Sequence, residues 1–345
     1  MVLAAGYGKR LKPLTVNRPK HVLPLAGKPL IQMIVESLGH AGVQEVGVLV
    51  GYHGEKVQDA LKPVTQPRIT FIRQKQLLGT GAALKECRDY LAGEEFFCVV
   101  YGDVTISTDV IIALQKMVED GVYDGVLAAV ESEETGRFGV VETKDDRLVR
   151  IGEKEMKAGP VNAGIYILNK KVFEVLDRTG LSPRGEIELT DALNKYVLEG
   201  GVIGVKFFGK GWWFDIGNPS DYLKANTVYL AKFFDRVVCA EKNVSFGNDV
   251  VVSGPLYIGP NVSIGRDSVI EGPSMICSGS VVGDGSVVSN SVIMENCYVG
   301  KKSLVRRSVI CEDSLFVEGL EVLSNGFPAF VCDPGFKSEK RLKVV

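Results

Sequence analysis

Short apolar runs alternate with amphipathic stripes from Val2 to Phe208, and the alternation predicts an α/β architecture. Val2 to Ala5 reads as a buried strand that must turn at Gly6, Tyr7 and Gly8. Pro29 then opens LIQMIVESLGHAG, which puts Leu30, Met33, Ile34, Ser37 and Leu38 on one helical face and has Gly42 as its stop. The pattern continues with strand Val46 to Val50, a short helix over residues 54 to 61, strand Ile69 to Arg73, helix Thr80 to Leu91 and strand Phe96 to Tyr101. Apolar strands separated by helices form right-handed βαβ units, so a mostly parallel sheet covered on both faces is expected, with ligands at the carboxyl ends of its strands. Strands Gly125 to Val130, Phe138 to Glu142 and Val161 to Leu168 follow, then a helix from Gly185 to Leu198, a strand Val202 to Phe208 and a helix beginning near Pro219.

From Asn243 the helical signal gives way to a period of six. Phe246, Val252, Ile258, Ile264, Ile270, Ile276, Val282 and Val288 recur six apart, and four positions after each stand Val250, Leu256, Val262, Ser268, Ser274, Ser280, Ser286 and Val292. One residue is then dropped, and the frame resumes at Ile293, Val299, Val305, Cys311 and Val317. Hexads with Gly, Asn and Asp at their turns predict a parallel β-helix whose coils stack aliphatic residues inward. The expected organisation is a domain over 1–232, a β-helix over 241–322 and a solvated tail over 323–345.

Bulk properties narrow the classes further. At 345 residues two domains are the prior, and a net charge of −2 argues against a nucleic-acid binder that relies on a basic surface. No apolar run approaches the ~20 residues of a membrane span and no signal peptide is evident, so the chain is read as cytoplasmic. The 7 cysteines include no CxxC pair, which predicts buried thiols in place of a zinc site or disulfide framework.

Candidate chemistry is concentrated where strands end. Gly6 and Gly8 let backbone N–H groups approach a ligand, while Lys9, Arg10, Lys12, Arg18 and Lys20 supply cations over the positions that follow, stiffened by Pro13 and Pro19. That loop suits a polyphosphate, although it is no Walker A motif. Gln74 follows a strand, and Gly79-Thr80-Gly81 opens a helix, so this loop either reads a base edge with a carboxamide and free N–H groups or merely caps a helix with Thr80. FFCVVYGDV delivers Asp103 to a strand end, a place for Mg²⁺ beside phosphates or for a turn-stabilising carboxylate. Asp215 in GWWFDIG is its natural partner, because Asn218 or Ser220 serves more easily than Asp215 as cap of the helix near Pro219.

The run LAAGYGKRLKPLTVNRPKHVLPLAGKPL, together with QKQLLGT, YGDV, RFGVVE, IGEKE and VNAGIYIL, resembles the sugar-1-phosphate nucleotidylyltransferases over essentially the whole chain. Lys9 stands where that family usually has a small hydroxyl residue. The resemblance implies a Rossmann-like, mixed or parallel sheet followed by a left-handed β-helix. It implies nucleotide binding by Leu3, Ala4, Ala5, Gly6, Gly8, Arg10, Gln74, Gly79 and Thr80, sugar binding by Gly139, Glu153 and Asn162, and catalysis by Arg10, Lys20 and Lys154. Mg²⁺ is expected between Asp103 and Asp215, and Ala5 with Gln74 points to UTP or dTTP with glucose 1-phosphate or N-acetylglucosamine 1-phosphate.

Three alternatives belong to the same resemblance: a bifunctional acetyltransferase, a non-catalytic regulatory relative and a GDP-mannose pyrophosphorylase. The acetyl-transfer base is usually a histidine, and no histidine follows His53. The β-helix is therefore read as an assembly and stabilising module that favours a homo-oligomer, most simply a trimer, and whose removal near Ala240 leaves nucleotide binding.

Overall fold

A computed structural model describes residues 1–132, 135–153, 159–233, 238–316, 318–319, 321–323 and 343–344. The chain forms two compact units: Met1–Gly6 with Leu30–Asp215, and Tyr7–Pro29 with Ile216–Val345. The loop after the first strand therefore groups with the β-helix and not with the strand that leads into it.

The first unit is built on a sheet with nine strands among the described residues: β1 Val2–Ala4, β2 Glu45–Val50, β3 Arg68–Arg73, β4 Phe96–Tyr101, β5 Gly125–Glu131, β6 Gly139–Lys144, β7 Arg147–Glu153, β8 Pro160–Asn169 and β9 Ile203–Phe208. Their order is β3-β2-β1-β4-β8-β5-β9-β7-β6. The four strands β1, β2, β3 and β4 are parallel, as the βαβ alternation predicts. β8 runs antiparallel to both β4 and β5, so the sheet is mixed.

Leu49, Leu84, Val99, Leu127, Tyr166 and Leu193 are fully buried in its core. Helix α1 (Leu30–His40) packs against both α2 (Gly54–Leu61) and α5 (Thr108–Glu119). Contact on two sides widens its buried face to Leu30, Ile31, Ile34, Val35 and Leu38 and leaves Met33 half-buried, a shift from the expected stripe.

Local chemistry explains three further departures. β7 was not expected; it pairs with β6 through a two-residue turn in which Asp145 and Asp146 both have positive φ, the conformation that tight hairpins require. The helix expected over Thr80 to Leu91 breaks into α3 (Thr80–Lys85) and α4 (Arg88–Leu91) at Cys87, whose φ −94° and ψ 0° leave the helical region. The helix expected from Gly185 begins at Leu189 (α7, Leu189–Leu198, which follows α6, Val172–Asp177), because Gly185 at φ +74° and the Ser182 to Glu186 backbone bonds close a turn first.

In the second unit, α8 (Pro219–Phe233) precedes three parallel sheets that run along the coil. Ladder partners lie one coil apart, as Leu256 with Ser274 and Ser263 with Val281. Ile258, Ile264, Ile270, Ile276, Val282, Val288, Ile293, Val299 and Val305 are all buried, as the hexads predict, whereas Phe246 and Val252, expected inward, are exposed on the first strands of their sheets.

The frame then slips a second time: Ile293 pairs with Ile310, not Cys311, and Val305 pairs with Val322. The cause is a shortened corner. The Gly-Pro corner repeats at 254–255 and 272–273 on successive coils and gives way on the next two coils to a single left-handed residue, first Asn290 and then Arg307. The buried Phe316 fills the next inward place, and Val317 lies outside the described residues. Inward serines satisfy their hydroxyls on backbone carbonyls of the neighbouring coil, as Ser268 donates to Gly283 at 3.1 Å and Ser280 to Met294 at 2.8 Å.

Candidate active site

Asp103 stands just past the carboxyl end of β4, after Gly102. Val104 next to it makes an antiparallel bridge with Asp215, so the backbone brings two acidic residues widely separated in sequence to one strand end. The bridge is reinforced on both sides. Thr105 N–H donates to the Phe214 carbonyl at 3.0 Å, Phe214 N–H donates to Thr105 Oγ1 at 2.8 Å, and Trp213 Nε1 donates to the Ala163 carbonyl at 2.8 Å.

Asn218 Oδ1 accepts from Asp221 N–H at 3.0 Å, so Asn218 and not Asp215 caps α8. Arg137 Nη2 approaches Asp215 Oδ2 at 3.8 Å. Among the described residues no group of three or more His, Cys, Asp or Glu forms a metal cage. Two oxygen donors without thiolate or imidazole fit a hard divalent cation that draws its other ligands from phosphate and water.

The loop carrying Gln74, Gly79 and Thr80 is braced by the segment leading into α7. Gly81 N–H donates to the Ile187 carbonyl at 2.8 Å and Ile187 N–H to the Leu78 carbonyl at 2.8 Å. N–H groups at this helix start were expected to be open to a ligand, but those of Gly81 and Ala82 are both spent on Ile187. Gly79 has φ +98°, and a Cβ there would sit 2.6 Å from the Ile187 oxygen, so only glycine fits. Thr80 does not cap α3; its hydroxyl donates to Glu188 Oε2 at 3.2 Å and accepts from Leu189 N–H at 3.0 Å. Gln74 Nε2 donates to the Gln76 carbonyl at 2.9 Å and its side chain is half-buried.

The sugar-assigned residues gather nearby. Gly139 and Glu153 are direct partners across β6 and β7, and a Cβ at Gly139 would lie 3.1 Å from Glu153 Oε1, so the glycine leaves that carboxylate room. Thr190 Oγ1 donates to Glu153 Oε1 at 3.0 Å. Asn162 sits at a bulge where β8 shifts register against β5, and its Nδ2 donates to the Tyr166 hydroxyl at 2.6 Å. Tyr166 donates onward to the Tyr101 hydroxyl at 3.2 Å. Lys154 lies outside the described residues.

The sequence reading missed Tyr101, Tyr166, Arg184 and Glu188, which link these clusters. Glu188 is buried, meets Arg184 Nη2 at 3.0 Å, and touches Thr80; Arg184 also lies 3.7 Å from Glu153. Burial pushes the Glu188 carboxyl up to about 7, with Glu186 adding to the rise and Arg184 opposing it. A signal existed in the two glutamates of GEIELTD beside Arg184, but nothing in the spacing said which of them would be buried.

A raised carboxyl binds its proton more tightly in the folded state, so stability falls as pH rises from its ordinary 4.5 through the folded value. Glu188→Gln is expected to match the wild-type melting temperature near pH 5 and exceed it by about 2–4 °C near pH 8. Thermal melts at the two pH values check this, and an equal difference at both would contradict it.

The phosphate-loop candidates belong to the second unit. Gly8 is left-handed at φ +62°; Thr15 Oγ1 donates to its carbonyl at 2.9 Å, and a Cβ on it would meet Thr15 Cγ2 at 3.1 Å and Lys20 Cβ at 3.3 Å. Glycine at this turn thus lets Lys20 fold back against it. Arg10 is exposed within the turn Lys9–Leu11, Lys20 is half-buried at the head of Lys20–Val22, and Lys9 leans over the Tyr7 ring at 5.6 Å. Arg18 leaves the cation set. Its guanidinium is 15% exposed and grips Glu295 with both terminal nitrogens, at 3.1 and 3.0 Å, and Glu312 at 3.2 Å. Leu3, Ala4, Ala5 and Gly6 remain with the first unit, where Tyr52 N–H donates to the Ala5 carbonyl at 3.2 Å.

A family model described as "Nucleotidyl transferase" matches residues 1–232. The chain belongs to the nucleotidyl transferase family. A second model, "GMPPB C-terminal domain", matches 241–325. This nucleotidyltransferase is 37% identical over 320 residues to the bifunctional protein GlmU of Methanococcus maripaludis, covering 91% of this chain and 73% of that protein.

It is 33% identical over 337 residues to a bifunctional sugar-1-phosphate nucleotidylyltransferase/acetyltransferase of Sulfurisphaera tokodaii, covering 92% and 80%. Among solved structures it is similar to a UDP-glucose pyrophosphorylase complexed with UDP-glucose, with TM-score 0.60 and 28% identity over 67% of this chain and 97% of that one. A putative glucose-1-phosphate thymidylyltransferase from Bacillus anthracis gives TM-score 0.60 and 27% identity over 66% and 93%. Among the described residues no helix is long and apolar enough to cross a membrane.

Proposed function

We propose that the chain joins UTP or dTTP to a hexose 1-phosphate, glucose 1-phosphate or N-acetylglucosamine 1-phosphate, and releases pyrophosphate. The observation that carries this reading is the Val104–Asp215 bridge, which gives Asp103 a partner carboxylate at the end of a parallel strand. The relatives' names add support, since they include both uridylyl- and thymidylyl-type enzymes acting on sugar phosphates.

Little chemistry beyond placement is needed. A sugar phosphate has a second pKa of about 6 and is largely dianionic near pH 7, so its oxygen attacks the α-phosphorus without a general base. Asp103 and Asp215 would hold Mg²⁺, which when bound neutralises phosphate charge. Arg10 takes the leaving pyrophosphate, Lys20 and Lys154 take the reacting phosphates, and no covalent enzyme intermediate forms. Gln74 and Thr80 read the base, while Glu153 and Asn162 exchange hydrogen bonds with sugar hydroxyls beside the room left at Gly139.

Pyrophosphate release from UTP, dTTP, ATP and GTP, each with glucose 1-phosphate, N-acetylglucosamine 1-phosphate or mannose 1-phosphate, tests the assignment. Preference for a pyrimidine triphosphate with a gluco-configured sugar is expected, and preference for GTP with mannose 1-phosphate would overturn it. Acetyl transfer from acetyl-CoA to glucosamine 1-phosphate is not expected, because no imidazole lies beyond His53 to serve as base.

Self-association through the β-helix is part of the same reading. Its first coil exposes Phe246, Val251 and Val252 on strands at the edge of their sheets. A homo-oligomer is the expected state, with a trimer the simplest form, and a monomeric mass by light scattering would contradict it.

A further inference from the structure

We propose that Glu295 and Glu312 of the β-helix are positioning residues for the phosphate loop, acting through Arg18. The inference rests on the reading of residues 6–20 as the triphosphate loop and gives the β-helix a part in nucleotide binding. Glu295 and Glu312 occupy the same place on consecutive coils, since Asp313 N–H, next to Glu312, donates to the Glu295 carbonyl at 3.0 Å. Neighbouring coils lie about 4.8 Å apart, so two stacked carboxylates repel unless a cation bridges them.

Arg18 supplies that cation, with a forked grip on Glu295 and a further contact to Glu312. Asn17 Nδ2 adds a bond to Glu312 Oε1 at 3.4 Å. Burial works against the Arg18 charge, but the two glutamates outweigh it and hold the guanidinium pKa above its ordinary value.

Arg18 is separated from Lys20 only by Pro19, whose backbone sits at φ −74° and ψ 151°. A ring-locked residue transmits the orientation of Arg18 directly to Lys20, and Lys20 Cβ in turn lies against Gly8. The far end of the segment is pinned independently: Tyr222 donates to the Pro24 carbonyl at 2.8 Å, Asn226 Oδ1 accepts from Ala26 N–H at 3.0 Å, and Gly27 N–H reaches Met275 Sδ at 3.2 Å. Anchored at both places, the segment presents Lys20 with little freedom left to lose on binding an anion.

The test compares wild type, Glu295→Gln and the double variant Glu295→Gln/Glu312→Gln in the full chain. Steady-state kinetics are run with UTP and glucose 1-phosphate, and UTP binding is measured alone by calorimetry. The double variant is expected to raise KM and Kd for UTP about tenfold, with kcat and the KM for the sugar phosphate changed less than about twofold. Glu295→Gln, which keeps the Arg18–Glu312 contact, is expected to give an intermediate shift even if the double variant folds poorly. Unchanged UTP affinity in a folded Glu295→Gln chain would overturn the proposal and leave Arg18 as a fold-stabilising contact only. A wild type that binds no nucleoside triphosphate would instead sink the underlying loop assignment.

Discussion

Asp103→Asn and Asp215→Asn are each expected to lower turnover by about 10³-fold at saturating substrate, the largest effect of any single change in the site. Asparagine keeps the size and shape of the side chain, so its cost is the lost charge. A neutral amide is a poor ligand for a hard divalent cation and offers no counter-charge to it. The fold should survive, because the Val104–Asp215 bridge and the Thr105–Phe214 bonds are made largely by backbone and by the Thr105 hydroxyl. Melting temperatures within about 2 °C of wild type are expected, since neither change opens a cavity. Stopped-assay rates over a Mg²⁺ titration check the point, and wild-type rates in Asp103→Asn would remove that carboxylate from the chemistry.

Arg10→Ala and Lys20→Ala are expected to reduce kcat/KM by about 10²-fold or more, for a different reason. Both residues are assigned to phosphate oxygens whose charge changes as pyrophosphate leaves, so their loss should lower kcat as well as affinity. Arg10 is exposed, which allows its removal without repacking. Lys20→Ala retains the Cβ that lies against Gly8. The contrast with the Arg18 contacts is diagnostic: loss of Glu295 and Glu312 should move the nucleotide KM and spare kcat, whereas loss of Arg10 or Lys20 should move both. Separate measurement of kcat and KM for each variant decides it, and an effect of Arg10→Ala confined to KM would place that residue in ground-state binding.

The fold was legible wherever a local pattern decides the outcome. Strand Phe96–Tyr101, helix Gly54–Leu61 and the inward hexads from Ile258 to Val305 follow directly from apolar spacing. The direction of β8 was not legible, because an apolar run reads the same whether its neighbours are parallel or antiparallel. The second slip of the coil was missed since Cys311 is itself apolar and buried, and so masked the shift to Ile310.

At the candidate site, Asp103 and Asp215 stand out in the sequence by ending apolar runs. Arg18 looked like its neighbours Lys9, Arg10, Lys12 and Lys20, because a row of cations carries no sign of which one is buried against acids hundreds of positions away. With the segment Tyr7–Pro29 gripped by the β-helix unit, removing the coil near Ala240 should weaken nucleotide binding, contrary to the expectation of a detachable scaffold.

Transfer of the nucleotidyl group itself is tested most directly by following α-³²P-labelled UTP with glucose 1-phosphate, and in parallel with N-acetylglucosamine 1-phosphate, in the presence of Mg²⁺. The account predicts that label passes into a nucleotide sugar as unlabelled pyrophosphate appears in equal amount, and that excess pyrophosphate drives the label back into UTP. Label that stays in UTP with both sugars and likewise with labelled dTTP, or that emerges as a free nucleoside monophosphate, would contradict it.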